Sequence, residues 1–255
     1  MAVLDVSNRD YAGAIVRPSP NFGPRKDVSK PQFIILHYTG METGEAAETL
    51  LLSAHSQVSA HYVVREDGTV VQMVSEKKRA WHAGESRWQN ITDMNSHSIG
   101  IEVVNCGEFK NFPKFPEVQI AALIALCSDI IARYDIAARC VLGHSDIAPE
   151  RKTDPGQSFP WQTLYQNGIG HWVTPTPIMG GPFMARGDSG MPVEAYQSML
   201  AVYGYNLPLT TVYDAQTEWV TKAFQRHFRP EKIDGVADFS TVDTLHRLLA
   251  SLRQL

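Results

Sequence analysis

The feature that most restricts the fold is a break in patterning at residues 174–190, TPTPIMGGPFMARGDSG. Three prolines and four glycines fall there with almost no periodic apolar signal, so neither a helix nor a central strand can run through it. The chain of 255 residues, 44% apolar and 20% charged, is long enough to build a compact unit on each side of that break. The expected division is 1–173, a Pro/Gly-rich linker or extended seam over 174–190, and 191–255.

The two sides differ in period. Before the break, Phe33-Ile34-Ile35-Leu36 is a short β-prone run after Pro31. Residues 61–64 and 70–74 read as a hairpin, because the Asp67-Gly68 pair between them supplies the turn chemistry. Residues 99–104 alternate as a strand does. Over 117–134, Ile120, Leu123, Ile124, Cys127, Ile130, Ile131 and Tyr134 recur at helical spacing. Cys140-Val141-Leu142 reads as a short strand opening into a polar loop. Elements intermixed this way predict an α/β domain with a mixed central sheet flanked by helices. After the break the pattern is helical. Val193, Tyr196, Leu200 and Tyr203 share one face, Trp219, Val220, Ala223, Phe224 and His227 a second, and Val242, Leu245, Leu248, Leu249 and Leu252 a third. A three-helix unit of this size suits binding better than catalysis. No internal repeat stands out.

Charge narrows the partners. The net charge of −4, from 23 basic and 27 acidic residues without long runs, argues against nucleic acid or an acidic lipid surface. No apolar stretch approaches the roughly 20 residues of a membrane span. The start, MAVLDVSNRD, lacks a basic segment followed by an apolar run, so no secretory signal is visible. Cys106, Cys127 and Cys140 are too few and too odd in number for a disulfide scaffold.

Six of the nine histidines precede residue 150. His37 ends the run 33–36, His144 follows Val141-Leu142-Gly143, and Asp154 stands ten residues later ahead of Pro155-Gly156. Two imidazoles and a carboxylate from separate loops form the protein half of an open zinc site, with the fourth position left to water. Each residue alone is more often structural, and spacing does not decide between the readings. Glu102, polar within an apolar strand, is either a solvent-facing carboxylate or a general base. Lys152 is either an oxyanion stabiliser or a surface lysine. Trp81 and His82 could line a cleft for sugar or peptide, or belong to the core. His55, His61 and His97 suit surface or packing roles. A thiol nucleophile built from Cys140 and His144 is the weaker reading, because Cys140 begins an apolar strand and buried cysteines commonly serve as small hydrophobes.

Six segments occur in a telling order: PSPNFGPR (18–25), FIILHYTG (33–40), SAHYVV (59–64), RAWHAG (79–84), SIGIEVVN (98–105) and VLGHSDIAPERKTDPG (141–156). Over roughly residues 15–172 the chain resembles the zinc-dependent N-acetylmuramoyl-L-alanine amidases of the AmpD and AmiD type, whose fold is shared with peptidoglycan recognition proteins. The resemblance implies one catalytic zinc held by His37, His144 and Asp154, Glu102 as catalytic acid/base, Lys152 at the amide oxygen, and Trp81 and His82 near substrate. Residues 191–255 resemble the three-helix peptidoglycan-binding domain, with departures at Tyr196 and Asp238-Phe239 that bear on glycan affinity. The implied partners are peptidoglycan or muropeptides. A wall-binding domain implies the bacterial envelope or periplasm, whereas the missing signal points to the cytoplasm. The competing readings are a wall-binding protein without catalysis and a cysteine-dependent peptidase.

Overall fold

The computed structural model describes residues 9–252, so the first eight residues, on which the expectation of no secretory signal partly rests, lie outside the described residues. Two compact units emerge. The first takes the chain to Glu85, Asp93–His144 and Asp154–Gly170; the second takes Ser86–Thr92, Ser145–Thr153 and His171 onward.

The elements of the first unit are β1 (Ala14–Val16), β2 (Phe22–Pro24), β3 (Phe33–Tyr38), α1 (Gly44–Leu52), β4 (Tyr62–Val64), β5 (Val70–Gln72), β6 (Lys78–Ala80), α2 (Met94–His97), β7 (Ser98–Val103), α3 (Glu117–Tyr134) and β8 (Val141–Gly143). His144 opens the single turn α4 (His144–Ile147), whose other residues belong to the second unit, and the short α5 (Trp161–Gln166) follows in the first. Six strands form one mixed sheet in the order β1-β5-β4-β7-β3-β8, with β4 and β5 antiparallel and the remaining neighbours parallel. The central strand β3 is buried from Phe33 to His37, as a parallel strand covered on both faces must be. The predicted hairpin forms between β4 and β5, with Gly68 at φ +84°. Helix α3 matches the predicted span. Its buried stripe carries Ile120, Leu123, Leu126, Cys127 and Ile130, and Asp135 at φ 57° ends it in the left-handed region. A second, two-stranded sheet pairs β2 with β6.

The second unit contains β9 (Phe183–Met184), α6 (Met191–Tyr203), α7 (Ala215–Phe228), β10 (Ala237–Asp238) and α8 (Phe239–Ser251). Part of 174–190 is an extended seam: β9 pairs antiparallel with β10, and Thr176 Oγ1 donates to Asp243. Trp219, expected on the buried stripe of α7, is 41% exposed, whereas Val220, Ala223, Phe224 and His227 of that stripe are buried, joined by Thr217 and Phe228. Trp88 packs edge-on against Tyr203 and Tyr205, and Asp146 accepts from the Tyr205 hydroxyl at 2.7 Å while lying 2.7 Å from His227 Nδ1.

An internal repeat does exist here. Gln197 on α6 accepts the N–H groups of Thr210 and Thr211 and donates to Val212 O, while Gln225 on α7 accepts those of Asp234 and Gly235 and donates to Val236 O. Thr211 and Gly235 both have positive φ, and Asp214 and Asp238 each cap the next helix through Thr217 and Thr241. The repeat escapes the sequence because its shared letters are few: an aromatic before Gln, then Val-x-Asp-x-x-Thr.

Candidate metal centre

The parallel register builds the site. His37 and Glu102 are direct partners on β3 and β7, and Leu36 pairs with Gly143, the residue before His144. Three strands therefore deliver His37, Glu102 and His144 to one carboxyl-end edge of the sheet, where open α/β folds place their ligands. Asp154 joins them. His37 Nδ1 lies 2.9 Å from His144 Nδ1 and 2.9 Å from Asp154 Oδ2, and His144 Nδ1 lies 3.0 Å from Asp154 Oδ2. All three residues are buried, and among the described residues theirs is the group of His, Cys, Asp or Glu side chains that could hold a metal ion.

The donor chemistry fits a divalent ion. Two imidazole nitrogens and a carboxylate oxygen make a triangle whose edges are only a few tenths of an ångström short of the roughly 3.3 Å expected around tetrahedral zinc. Burial opposes ionisation of Asp154, and positive charge on the adjacent His144 and His37 outweighs it and holds the carboxyl well below the usual range; a cation bound among the three would take the place of that charge. A carboxylate kept charged has the form that binding a metal ion requires.

The imidazoles are also held from behind. His144 Nε2 lies 3.0 Å from Ala83 O, and His37 Nε2 lies 3.0 Å from His82 Nδ1. His82, expected beside substrate, is buried, with its Nε2 3.2 Å from Ser98 Oγ. Burial first, then the His37, His61 and His144 rings and Arg25, keep the His82 ring neutral. His61 packs near it with its Nδ1 accepting the Gly100 N–H, and burial and Arg25 lower its pKa to about 3.

Glu102 is half-buried and Trp81 likewise, with the Trp81 N–H donating to Ser59 Oγ. Lys152, in the second unit, is half-exposed, and its backbone N–H donates to Ala148 O. Cys106, Cys127 and Cys140 form no disulfide. Burial pushes the Cys127 thiol up to about 12 and also raises Cys140, which removes the thiolate a cysteine peptidase needs. Sequence reasoning gave no role to Asn95, which precedes the segment 98–105, or to Ser98, which opens it; only their tertiary neighbours mark them.

Residues 27–157, just over half of the chain, match the family model described as N-acetylmuramoyl-L-alanine amidase, and residues 189–245 match that of a putative peptidoglycan binding domain. The chain is 40% identical over 235 residues to the N-acetylmuramoyl-L-alanine amidase AmiD of Escherichia coli (strain K12), covering 87% of this chain and 83% of that one. A structure of AmiD from E. coli with the substrate anhydro-N-acetylmuramic acid-L-Ala-D-gamma-Glu-L-Lys matches with a TM-score of 0.75 at 35% identity over 94% of both chains. AmpDh3 of Pseudomonas aeruginosa, in complex with anhydromuramic pentapeptide, matches with a TM-score of 0.72 at 32% identity, over 96% of this chain and 98% of that one. No helix among the described residues is long and apolar enough to cross a membrane. With a buried His-His-Asp triangle at the edge of a mixed sheet, and similarity of this extent to AmiD, the chain belongs to the N-acetylmuramoyl-L-alanine amidase family.

Proposed function

We propose that this amidase cleaves the bond between the lactyl group of N-acetylmuramic acid and L-alanine through one catalytic zinc and a carboxylate beside it. The carrying observation is the convergence of His37 Nδ1, His144 Nδ1 and Asp154 Oδ2 within 3.0 Å of one another, with Glu102 paired to His37 across the strands. Bound there, zinc supplies a Lewis acid that lowers the pKa of water and polarises the scissile carbonyl. Glu102 takes a proton from the attacking water and delivers one to the departing L-alanine nitrogen. Lys152 balances negative charge on the amide oxygen, and Trp81 lines the approach of sugar or peptide. Residues 1–173 carry this chemistry, 174–190 connect, and 191–255 engage the wall polymer.

Support for anhydromuramyl peptides as substrates comes from the two complexes of the relatives AmiD and AmpDh3. The peptidoglycan-binding match favours the bacterial envelope as the place of action, which fractionation of the producing cell checks. The test of the reaction is mass spectrometry after incubation of the zinc-loaded chain with anhydromuramyl tripeptide and, separately, with purified sacculi. The expected product is a stem peptide with a free L-alanine amine. Cleavage at a glycosidic bond, or between amino acids of the stem, would overturn the assignment.

A further inference from the structure

The proton arrangement behind the triangle is set by the backbone carbonyl of Met94, three hydrogen bonds away from His37. Ser98 Oγ donates to Met94 O at 2.5 Å, and a carbonyl oxygen only accepts. With that hydrogen committed, Ser98 Oγ accepts from His82 Nε2–H at 3.2 Å. With its hydrogen on Nε2, the His82 ring turns Nδ1 toward His37 as an acceptor, and Nδ1 takes His37 Nε2–H at 3.0 Å. His37 therefore presents the lone pair of Nδ1 toward His144 and Asp154. His144 reaches the same state by another route, because its Nε2–H donates to Ala83 O at 3.0 Å.

Both partners lie on one two-residue segment, and that segment is pinned. Asn95 Oδ1 accepts the N–H of His82 at 2.9 Å and of Ala83 at 2.8 Å. The slot for the His82 ring is also built: a Cβ on Gly100 of β7 would fall 2.3 Å from His82 Cγ, so only glycine leaves the space. We propose that His82 is a positioning residue that acts through His37, and that the segment His82-Ala83 selects Nδ1 as the metal-facing atom of both site imidazoles. Partners of this kind fix ring orientation and tautomer, and their loss costs about 10–100-fold in metal affinity. The inference rests on the reading that His37, His144 and Asp154 hold the ion.

The experiment measures zinc affinity of the full apo-protein by competition with a chromophoric chelator, together with the imidazole nitrogen shifts of His37 by long-range proton–nitrogen NMR. In the wild type the shifts should show hydrogen on Nε2 alone. His82→Leu removes the acceptor at similar bulk and should weaken zinc about 10–100-fold while mixing the His37 tautomers. His82→Asn, whose Oδ1 stands near the position of Nδ1, should recover most of both. Ser98→Ala, which frees the His82 tautomer without touching His37, should shift both readouts in the same direction by less, and serves if His82→Leu does not fold. Unchanged affinity and unchanged His37 shifts in folded His82→Leu, or in Ser98→Ala if that variant alone folds, would overturn the proposal. His37→Ala separates the two levels: zinc retained there defeats the ligand reading itself, whereas zinc lost there but kept in His82→Leu defeats only the role of His82.

Discussion

Two buried carboxylates in the first unit show how similar burial yields opposite chemistry. Glu76 is fully buried, and each of its oxygens has two donors: Tyr62 Oη at 2.7 Å and Arg133 Nη2 at 2.8 Å on one, Tyr134 Oη at 2.9 Å and Arg133 Nη1 on the other. Every partner brings its own hydrogen, so the cluster closes on itself. Asp154 is almost as buried, yet its Oδ2 faces two imidazole nitrogens whose opposite nitrogens engage Ala83 O and His82. Acceptors that converge without their own hydrogens repel unless a proton or a cation lies among them. A closed cluster holds the fold together. An acceptor-rich one asks for an ion.

The contrast predicts a ranking of effects. His37→Ala and Asp154→Ala should each lose zinc to background by elemental analysis and lose turnover to the detection limit; full zinc occupancy in either variant would erase the distinction between the clusters. Glu102→Ala should lower kcat about 10²–10⁴-fold with one zinc per chain retained, because it removes a proton carrier and not a ligand. Residual activity above a tenth of wild type would remove Glu102 from that role. Glu76→Ala should act on stability instead, costing about 3 kcal/mol or more in urea unfolding, since Arg133 is left without its buried partner. Zinc affinity of the folded protein should stay within about threefold of wild type, and a larger change would couple the two clusters.

The smallest effect concerns His61, whose pKa is lowered to about 3 by burial and by Arg25. The unfolded chain takes up this proton near pH 6.5, whereas the folded chain refuses it until about pH 3, so stability falls as pH drops through that window. One such proton corresponds to about 1.4 kcal/mol per pH unit. Unfolding free energies from urea titrations between pH 6.5 and 4.5 should fall less steeply by that amount in His61→Asn, which keeps an acceptor for the Gly100 N–H. Equal slopes in the two proteins would mean that His61 is protonated within the fold.

Much of this is legible in the letters. Helix α3 spans Glu117–Tyr134 as its periodicity predicts, and the Asp67-Gly68 turn joins β4 to β5, because both are decided by local chemistry. The residues singled out for the metal centre came from a resemblance across ordered motifs; composition and spacing left them open. Trp219 misled because helical spacing locates a stripe only to within one position, and a large aromatic at its margin can face water. The pairing of Asp146 with Tyr205 and His227 left no trace in the letters, since partners separated by 59 and 81 residues share no period.

The sequence alone determined the strands near 33–36, 61–64, 70–74 and 99–104, the helix over 117–134 and the helical character after residue 190, where the pattern breaks, and which side chains are able to bind metal or move protons, because each depends on neighbours within a few positions. Only the tertiary structure decided that β7, β3 and β8 lie side by side in parallel register, and that the His82 ring meets His37 Nε2. Strand order and ring contacts arise from burying apolar surface between segments far apart in the chain, and that free energy belongs to the assembled core.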